Sequence, residues 1–494
     1  MNVSGDRGRL FRAMASAGLV AASLSSCATP SPIRAEVPGG ERADARQALL
    51  ISSSDSLVGD PVPAQWWSLF HDPTLTALQR RALDQNLDLQ SAAARVEAAA
   101  ARSGLVRAGR LPGLAAEASY TRGSLSEQSP MVALGAPSTP TNNWTAGYRA
   151  TWELDLWRHQ RNLENAAILR VEGGGWQREA IATSLSADIA QAYLQLRGTQ
   201  AKQLLSKRNE SIAQDLVKLT QSRFDNGVAT SFEVHAAASA LEDVRASMVS
   251  LDRTQLDLMN ALALLLADTP RALDAQLSAA PFPILPQKIS VGIPSQVALA
   301  RPDIKRADAE LRAALADVAA AKADFYPRVT LGADAGIEAF NFDDLGRSGS
   351  TGFSVGPSFH IPIFQGGRLT SNLRLTEARH REAAIEYRKA VLTAWHEVDD
   401  ALTNYTHELR RNDHLARSQE SGEKALGVAR RSFQAGNADM ITVLDAQRTA
   451  VANDLRLADS NTECALAVVA LYRSLGGGWD DTMSTAPSDT GSAP

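Results

Sequence analysis

Four segments of this chain, each about ten residues long, alternate apolar and polar residues with a period of two. That period places successive side chains on opposite faces of a β-strand. The clearest case is Asn143 to Trp157. Trp144, Ala146, Tyr148, Ala150, Trp152 and Leu154 fall on one face, with Thr145, Gly147, Arg149, Thr151, Glu153 and Asp155 on the other. Leu114 to Tyr120, Val329 to Ile337 and Phe353 to Ile363 repeat the pattern, giving strands near 114–123, 143–155, 328–340 and 352–364. A half-buried sheet in a soluble domain shows the same alternation. The matched lengths, the Trp and Tyr residues near the strand ends and the N-terminus described below favour strands that cross a bilayer, where about 9–11 tilted residues suffice. The sequence holds no uninterrupted apolar stretch of 18 residues, so any crossing falls to these strands.

Four strands cannot close a membrane barrel, whose smallest examples have about eight. An open edge in hydrocarbon would leave backbone groups unpaired at several kcal/mol each. The barrel must therefore be shared. Two chains would supply eight strands, and an eight-stranded interior is filled by side chains. The polar face here carries Arg149, Glu153, Asp155, Asp334 and Glu338, which need water. Three chains, with twelve strands, leave room for a channel. The predicted fold is mainly α with a transmembrane β-barrel: a homotrimer with four strands per chain on a long helical barrel.

The N-terminus reads as an export signal. Arg7, Arg9 and Arg12 precede an apolar run from Ala13 to Leu24, too short to span a membrane. Leu24-Ser25-Ser26-Cys27 resembles a bacterial lipobox, so residues 1–26 are predicted to be a signal peptide and Cys27 the lipidated first residue of the mature chain. An ordinary signal with a chance cysteine is the alternative. Ala28 follows, and by similarity to sorted lipoproteins this directs the chain to the outer membrane. Residues 27–65 read as a lipid-anchored flexible segment, and 477–494 as a disordered tail.

Between these ends the chain repeats itself. Phe224, Gly227, Val234 and Ala237 are echoed by Phe433, Gly436, Val443 and Ala446, and each strand pair has its counterpart. The first repeat covers 66–281, the second 303–476, with an equatorial linker at 282–302. Each runs helix, strand, long loop, strand, long helix, tip, helix. Arg158–Phe224 and Gly366–Phe433 predict helices about 100 Å long at 1.5 Å per residue. The shorter helices Ser231–Leu266 and Asp303–Phe325 together match that length, as a stacked antiparallel wall requires. Gly173-Gly174-Gly175 inside the first long helix costs about 1 kcal/mol per glycine against alanine and predicts a bend or a tight packing contact.

The chemistry of most other function classes is missing. Net charge is −5 and well mixed, with no basic footprint for nucleic acid. Two cysteines support neither a disulfide framework nor a cysteine metal site. There is no phosphate-binding loop and no nucleophile elbow. His396-Glu397-Val398-Asp399-Asp400 begins like a zinc-protease motif, but Asp400 replaces the second histidine, and these read as solvated charges. Neither an enzyme nor a cofactor is indicated.

The segments 66–89 (WWSLFHDPTLTALQRRALDQNLDL), 361–369 (IPIFQGGRL) and the tips RFDNG and SFQAG ahead of VLDAQ resemble the TolC-like outer membrane factors, most closely their NodT-type lipoprotein branch. The resemblance covers roughly residues 65–476. It implies a trimer with a twelve-stranded barrel above a twelve-helix periplasmic tunnel. Its activity would be passive, an exit duct for drugs or other small molecules, fed by an inner-membrane RND-type pump through a periplasmic adaptor. It also implies that the tips at 224–230 and 433–439, with Phe224, Gly227, Phe433 and Gly436, dock the adaptor, and that Glu233 and Asp445 stand at acidic gate positions. Thr442 occupies a third such position, and Asp439 adds an acid nearer the tip. The second tip departs slightly, since Arg431 lies one residue earlier, relative to its Phe-xx-Gly, than Arg223 does. Plainer roles compete. Thr230 and Glu233 can form a capping box, and Asp439 can cap the helix that follows it, whereas Asp445 lies beyond the first turn. A duct for secreted proteins or saccharides, and a periplasmic scaffold or adaptor held only by lipid, remain as alternatives.

Overall fold

The computed structural model describes residues 56–292 and 300–477. The signal peptide, Cys27 and all but the first residue of the tail lie outside them. In chain order the elements are β1 (Leu57–Val58), a 3-10 turn at Trp66–Phe70, α1 (Pro73–Gln85), α2 (Leu87–Ala108), β2 (Gly113–Gly123) and β3 (Thr141–Leu154). Then come α3 (His159–Asp225), α4 (Ser231–Leu265), β4 (Ile289–Ser290), α5 (Pro302–Ala323), β5 (Arg328–Ala339), β6 (Thr351–His360), α6 (Arg368–Gln434) and α7 (Met440–Ser474). The internal repeat is metrical. α3 and α6 each have 67 residues, α4 and α7 each 35, and α2 and α5 each 22.

The helices form an open wall. Toward the strands its order is α2, α3, α5, α6; toward the tips it is α4, α3, α7, α6. The shorter helices therefore stack end to end beside the long ones, but not in the pairing the sequence suggested. α4 meets α2, where Asn86 Nδ2 donates to the Leu265 carbonyl at 2.9 Å and Arg81 pairs with Asp268. α7 meets α5, where Arg301 donates to the Ser474 carbonyl at 2.8 Å. The residues at these joints are also caps: Asn86 Oδ1 accepts from Asp88 N and Leu89 N, and Asp72 Oδ1 accepts from Thr74 N and Leu75 N ahead of Pro73.

The joints surround the main core. Trp66, Phe70, Leu75 and Leu78 pack with Tyr193 and Leu196 of α3, Tyr405 of α6 and Tyr472 of α7, and Trp66 stacks on Tyr472 at 5.4 Å. This corrects the reading of residues up to 65 as a loose tether. From Ser56 onward the segment is pinned, with β1 pairing parallel to β4 and Ser56 O accepting from Ile289 N at 2.8 Å. Arg197, 3% exposed, fastens the segment that follows α4 to α3 by donating to the Ser278 carbonyl at 2.8 Å, and it also donates to Gln200 Oε1 at 2.7 Å and Tyr193 Oη at 2.9 Å. Tyr193 in turn donates to Asp72 Oδ2 at 2.6 Å. Burial, reinforced by that carboxylate, pushes the Tyr193 hydroxyl up to about 12. Glu397 is likewise more than a solvated charge. It pairs at 2.7 Å with Arg301, whose side chain is only 10% exposed.

The triple glycine neither breaks nor ends α3, which runs unbroken through it. A Cβ at Gly173 would lie 3.7 Å from Ala309 Cβ, and one at Gly174 would lie 3.6 Å from Val96 Cγ2. These are ordinary van der Waals distances, so α5 and α2 pack against α3 here without requiring glycine. Gly175 meets nothing within 4 Å, and its presence has no structural account.

Candidate functional site

The sheet has the antiparallel order β2-β3-β5-β6. Among the described residues both outer strands have one unpaired edge, and every residue of β2 and β6 is exposed. Its apolar face is bare. Leu114 is 74%, Tyr148 65% and Phe353 85% exposed, which a water-soluble single chain would not leave as one contiguous surface. Aromatic residues flank this face at both ends. Far from the helices, Trp144 contacts Tyr120 at 4.2 Å and Phe342 at 5.1 Å. Near them, Trp157 stacks on Tyr326 at 4.9 Å and donates to the Pro327 carbonyl, and Trp152 donates to the Arg110 carbonyl. About eight residues separate Trp144 from Trp152, some 26 Å of strand, and two aromatic girdles around an apolar band are the mark of a strand set in lipid.

The polar face lines a hollow, and two glycines stand where its strands approach most closely. Gly147 and Gly336 are paired, and a Cβ on either would come within 3.0 Å of the other's Cα and within 2.7 Å of a carbonyl oxygen. The strands come this close on that side because no side chain intervenes. Charged residues line the hollow. Arg149 Nε donates to Asp334 Oδ1 at 2.7 Å, its other nitrogen lies 3.3 Å from Glu117, and Ser354 donates to Asp334 Oδ2 at 3.4 Å. Asp155 is not part of this face. It lies past the end of β3, and its carboxylate accepts from Gln160 N at 3.0 Å and Arg161 N at 2.9 Å, capping α3. β6 ends at His360, short of the sequence boundary at 364, and the chain beyond it turns toward α6 through left-handed Gly366 and Gly367.

At the opposite end the two tips share one backbone design. α3 ends at left-handed Gly227, with Val228 N donating to Arg223 O; α6 ends at left-handed Gly436, with Asn437 N donating to Ser432 O. The side chains differ. Phe433 is buried at 9%, packed with Ala429, Met440 and Val443, while Phe224 is 43% exposed. The Arg223 guanidinium sits 4.6 Å from the Phe433 ring centroid and covers it. Ser432 occupies the matching place at the second tip, so Phe224 gains no such cover. The one-residue offset of Arg431 signalled this difference, though its consequence was not legible in the sequence.

The acids divide by environment. Glu233 is held in the capping box, accepting from Thr230 N at 2.7 Å while Glu233 N donates to Thr230 Oγ1. Asp439 caps α7, accepting from Thr442 N at 2.8 Å and from the Thr442 hydroxyl, and these bonds hold its carboxyl below the usual range. Asp445 is exposed one turn further on, and only its backbone carbonyl accepts a bond, from Thr449.

Comparison with known proteins agrees with this geometry. The profile of the family described as outer membrane efflux protein matches residues 78–268 and 293–477, well over half the chain. Outer membrane protein OprJ of Pseudomonas aeruginosa is 32% identical over 476 residues, 95% of this chain and 96% of the relative. Nodulation protein T of Rhizobium leguminosarum bv. viciae is 30% identical over 437 residues, 87% of this chain and 88% of the relative. The solved structure of the outer-membrane channel OprN superimposes with a TM-score of 0.82 at 30% identity, covering 87% of this chain and 96% of that one. The chain belongs to the outer membrane efflux protein family, whose members are channels of the Gram-negative outer membrane.

Proposed function

We propose that three copies of this chain assemble into a passive exit duct, a twelve-stranded barrel continued by a helical tunnel into the periplasm. One observation carries this reading. A sheet with two unpaired edges, a bare apolar face and a concave charged face is continuous with a helical wall that is itself open at both edges. Neighbouring copies pair the open edges of sheet and wall, lipid covers the apolar face, and water fills the charged one. Three is the smallest number that leaves the charged face wet, because eight strands enclose only side chains. The chain does no chemistry of its own in this reading. Cargo, drugs or other small molecules, is driven by an inner-membrane RND-type pump and delivered through a periplasmic adaptor docked at the tips around Phe224, Gly227, Phe433 and Gly436. Lipid on Cys27 adds an anchor.

Asp445 is the best-supported gate acid, because Glu233 and Asp439 are already committed to backbone amides. Three copies would form an acidic ring that favours cations. In planar bilayers, full-length protein should run as a heat-dissociable trimer and form water-filled pores, and Asp445→Ala should raise the open probability. A soluble single subunit would overturn the duct. Unchanged gating would remove Asp445 from it.

A further inference from the structure

The register of the sheet places the charged residues unusually. On the concave face, the rung Arg149–Asp334–Ser354 is bounded outward by Gly147–Gly336–Gly352 and inward by Thr151–Gly332–Gly356. The flanking rungs offer no long side chain on β3, β5 or β6. Glu117 stands on β2 opposite Gly147, and in that cleared space it reaches diagonally to Arg149. A single charged rung thus projects from an otherwise stripped stretch of wall. On β2 the register partner of Arg149 is Ala115, and only the diagonal reach of Glu117 carries the charge from that rung to the other open edge of the sheet.

Stability does not explain this arrangement. The side chains of Glu117, Arg149 and Asp334 are 57%, 55% and 48% exposed, and pairs so exposed contribute little to folding. Charges protruding into a water-filled bore act on what passes. Glu338, which accepts from Asn143 at 2.9 Å, lies outward of the outer glycine rung, and Glu153 lies inward of the inner one. Arg328, at the base, is paired with Asp324. Arg149 is therefore the only cation facing four carboxylates across the middle of the described sheet.

We propose that Glu117, Arg149, Asp334 and Ser354 form a continuous charged ring in the assembled barrel that sets its preference for cations, with Arg149 restraining that preference. This rests on the duct reading above. The ring lies at the opposite end of the molecule from Asp445 and works independently of it.

The test is reversal potential in a tenfold KCl gradient, using full-length trimers with Asp445 kept native throughout. Arg149→Gln releases two carboxylates and should raise the ratio of potassium to chloride permeability. Glu117→Gln combined with Asp334→Asn should lower it, and this variant keeps the test open if the first fails to assemble. For the three charges of Arg149→Gln and the six of the double variant, about 10 Å from the axis and screened over one Debye length, the change should be at least about twofold each way. Both changes should shrink near 1 M salt, where the Debye length falls to about 3 Å. Ratios indistinguishable from wild type at low salt, or moving in the same direction in both variants, would overturn the ring while leaving the duct intact. Wild-type protein that opens no pore would overturn both.

Discussion

The curvature of the sheet depends on two glycines, and a single methyl group tests this. In Gly336→Ala the new Cβ would lie 2.7 Å from the Ala146 carbonyl oxygen and 3.0 Å from Gly147 Cα. Carbon atoms pack best at about 3.5–4.0 Å, so β3 and β5 must separate by roughly half an ångström or the sheet must flatten. Both contacts are backbone, and no side chain can swing aside. Overpacking of this kind costs about 1–3 kcal/mol. Summed over three distant copies it reaches about 3–9 kcal/mol per trimer. Gly352 gives the control. It lies on the same rung and face, paired with Gly336, yet a Cβ there meets nothing within 4 Å. Gly352→Ala should be neutral or stabilise by up to about 1 kcal/mol through reduced chain entropy. The assay is the temperature at which detergent-resistant trimers dissociate, with Gly336→Ala falling below wild type and Gly352→Ala at or above it. Equal thermal resistance of the two variants would refute the claim that the charged face is the inner side of a tightly curled sheet.

Arg197→Met should destabilise the equator by about 3–5 kcal/mol, because it strands the Ser278 carbonyl and Gln200 Oε1 inside the core; faster proteolysis between 267 and 281 would report it. Phe433→Ala should speed amide exchange at the second tip, whereas Phe224→Ala, half in solvent already, should leave its own tip unchanged. The pH response at the tips follows from Asp439, whose pKa is lowered by the Thr442 hydroxyl and amide. A carboxylate lowered on folding stabilises above its unfolded value and loses that contribution as pH falls through its folded one. The protection factor at the start of α7, with exchange corrected for its intrinsic pH dependence, should therefore be flat above the ordinary aspartate range and fall only below it, and Asp439→Asn should abolish the step.

Much of this molecule was readable before its coordinates. The strands could be placed because period-two alternation survives in any sheet with two unlike faces, and the tips because left-handed glycines must follow helices that reverse. The capping roles of Glu233 and Asp439 were legible for the same local reason. What escaped was whatever depends on two distant segments meeting. Nothing in 56–65 reveals that it will pair with Ile289–Ser290, and nothing near Arg301 reveals Glu397 or Ser474. Asp155 was assigned to the strand by alternation alone, yet a helix start four residues later claimed its carboxylate. The glycine rungs were visible singly as polar-face positions. Only register could show that they line up.

In the duct proposed above, the distribution of packing separates a rigid equator from lightly joined tips. The equatorial cluster draws aromatic and aliphatic side chains from α1, α3, α4, α6, α7 and the linker, and it is cross-braced by buried Arg197 and Arg301. The tip cluster consists of Ala429, Phe433, Met440 and Val443, with Leu216 of α3 against it. Local opening free energy scales with buried apolar contact, so the tips can part at a small fraction of the cost of disturbing the equator. Arg223 sharpens this difference. It fastens the end of α3 to the start of the second tip through a ring face rather than an ion pair, a contact that needs no desolvated carboxylate and can be remade after sliding. The tip acids occupy caps or open solvent, and none is locked to a basic partner across the two tips among the described residues. In the proposed duct, parting the tips would therefore strand no buried charge at the end where the first tip and the second are joined most lightly.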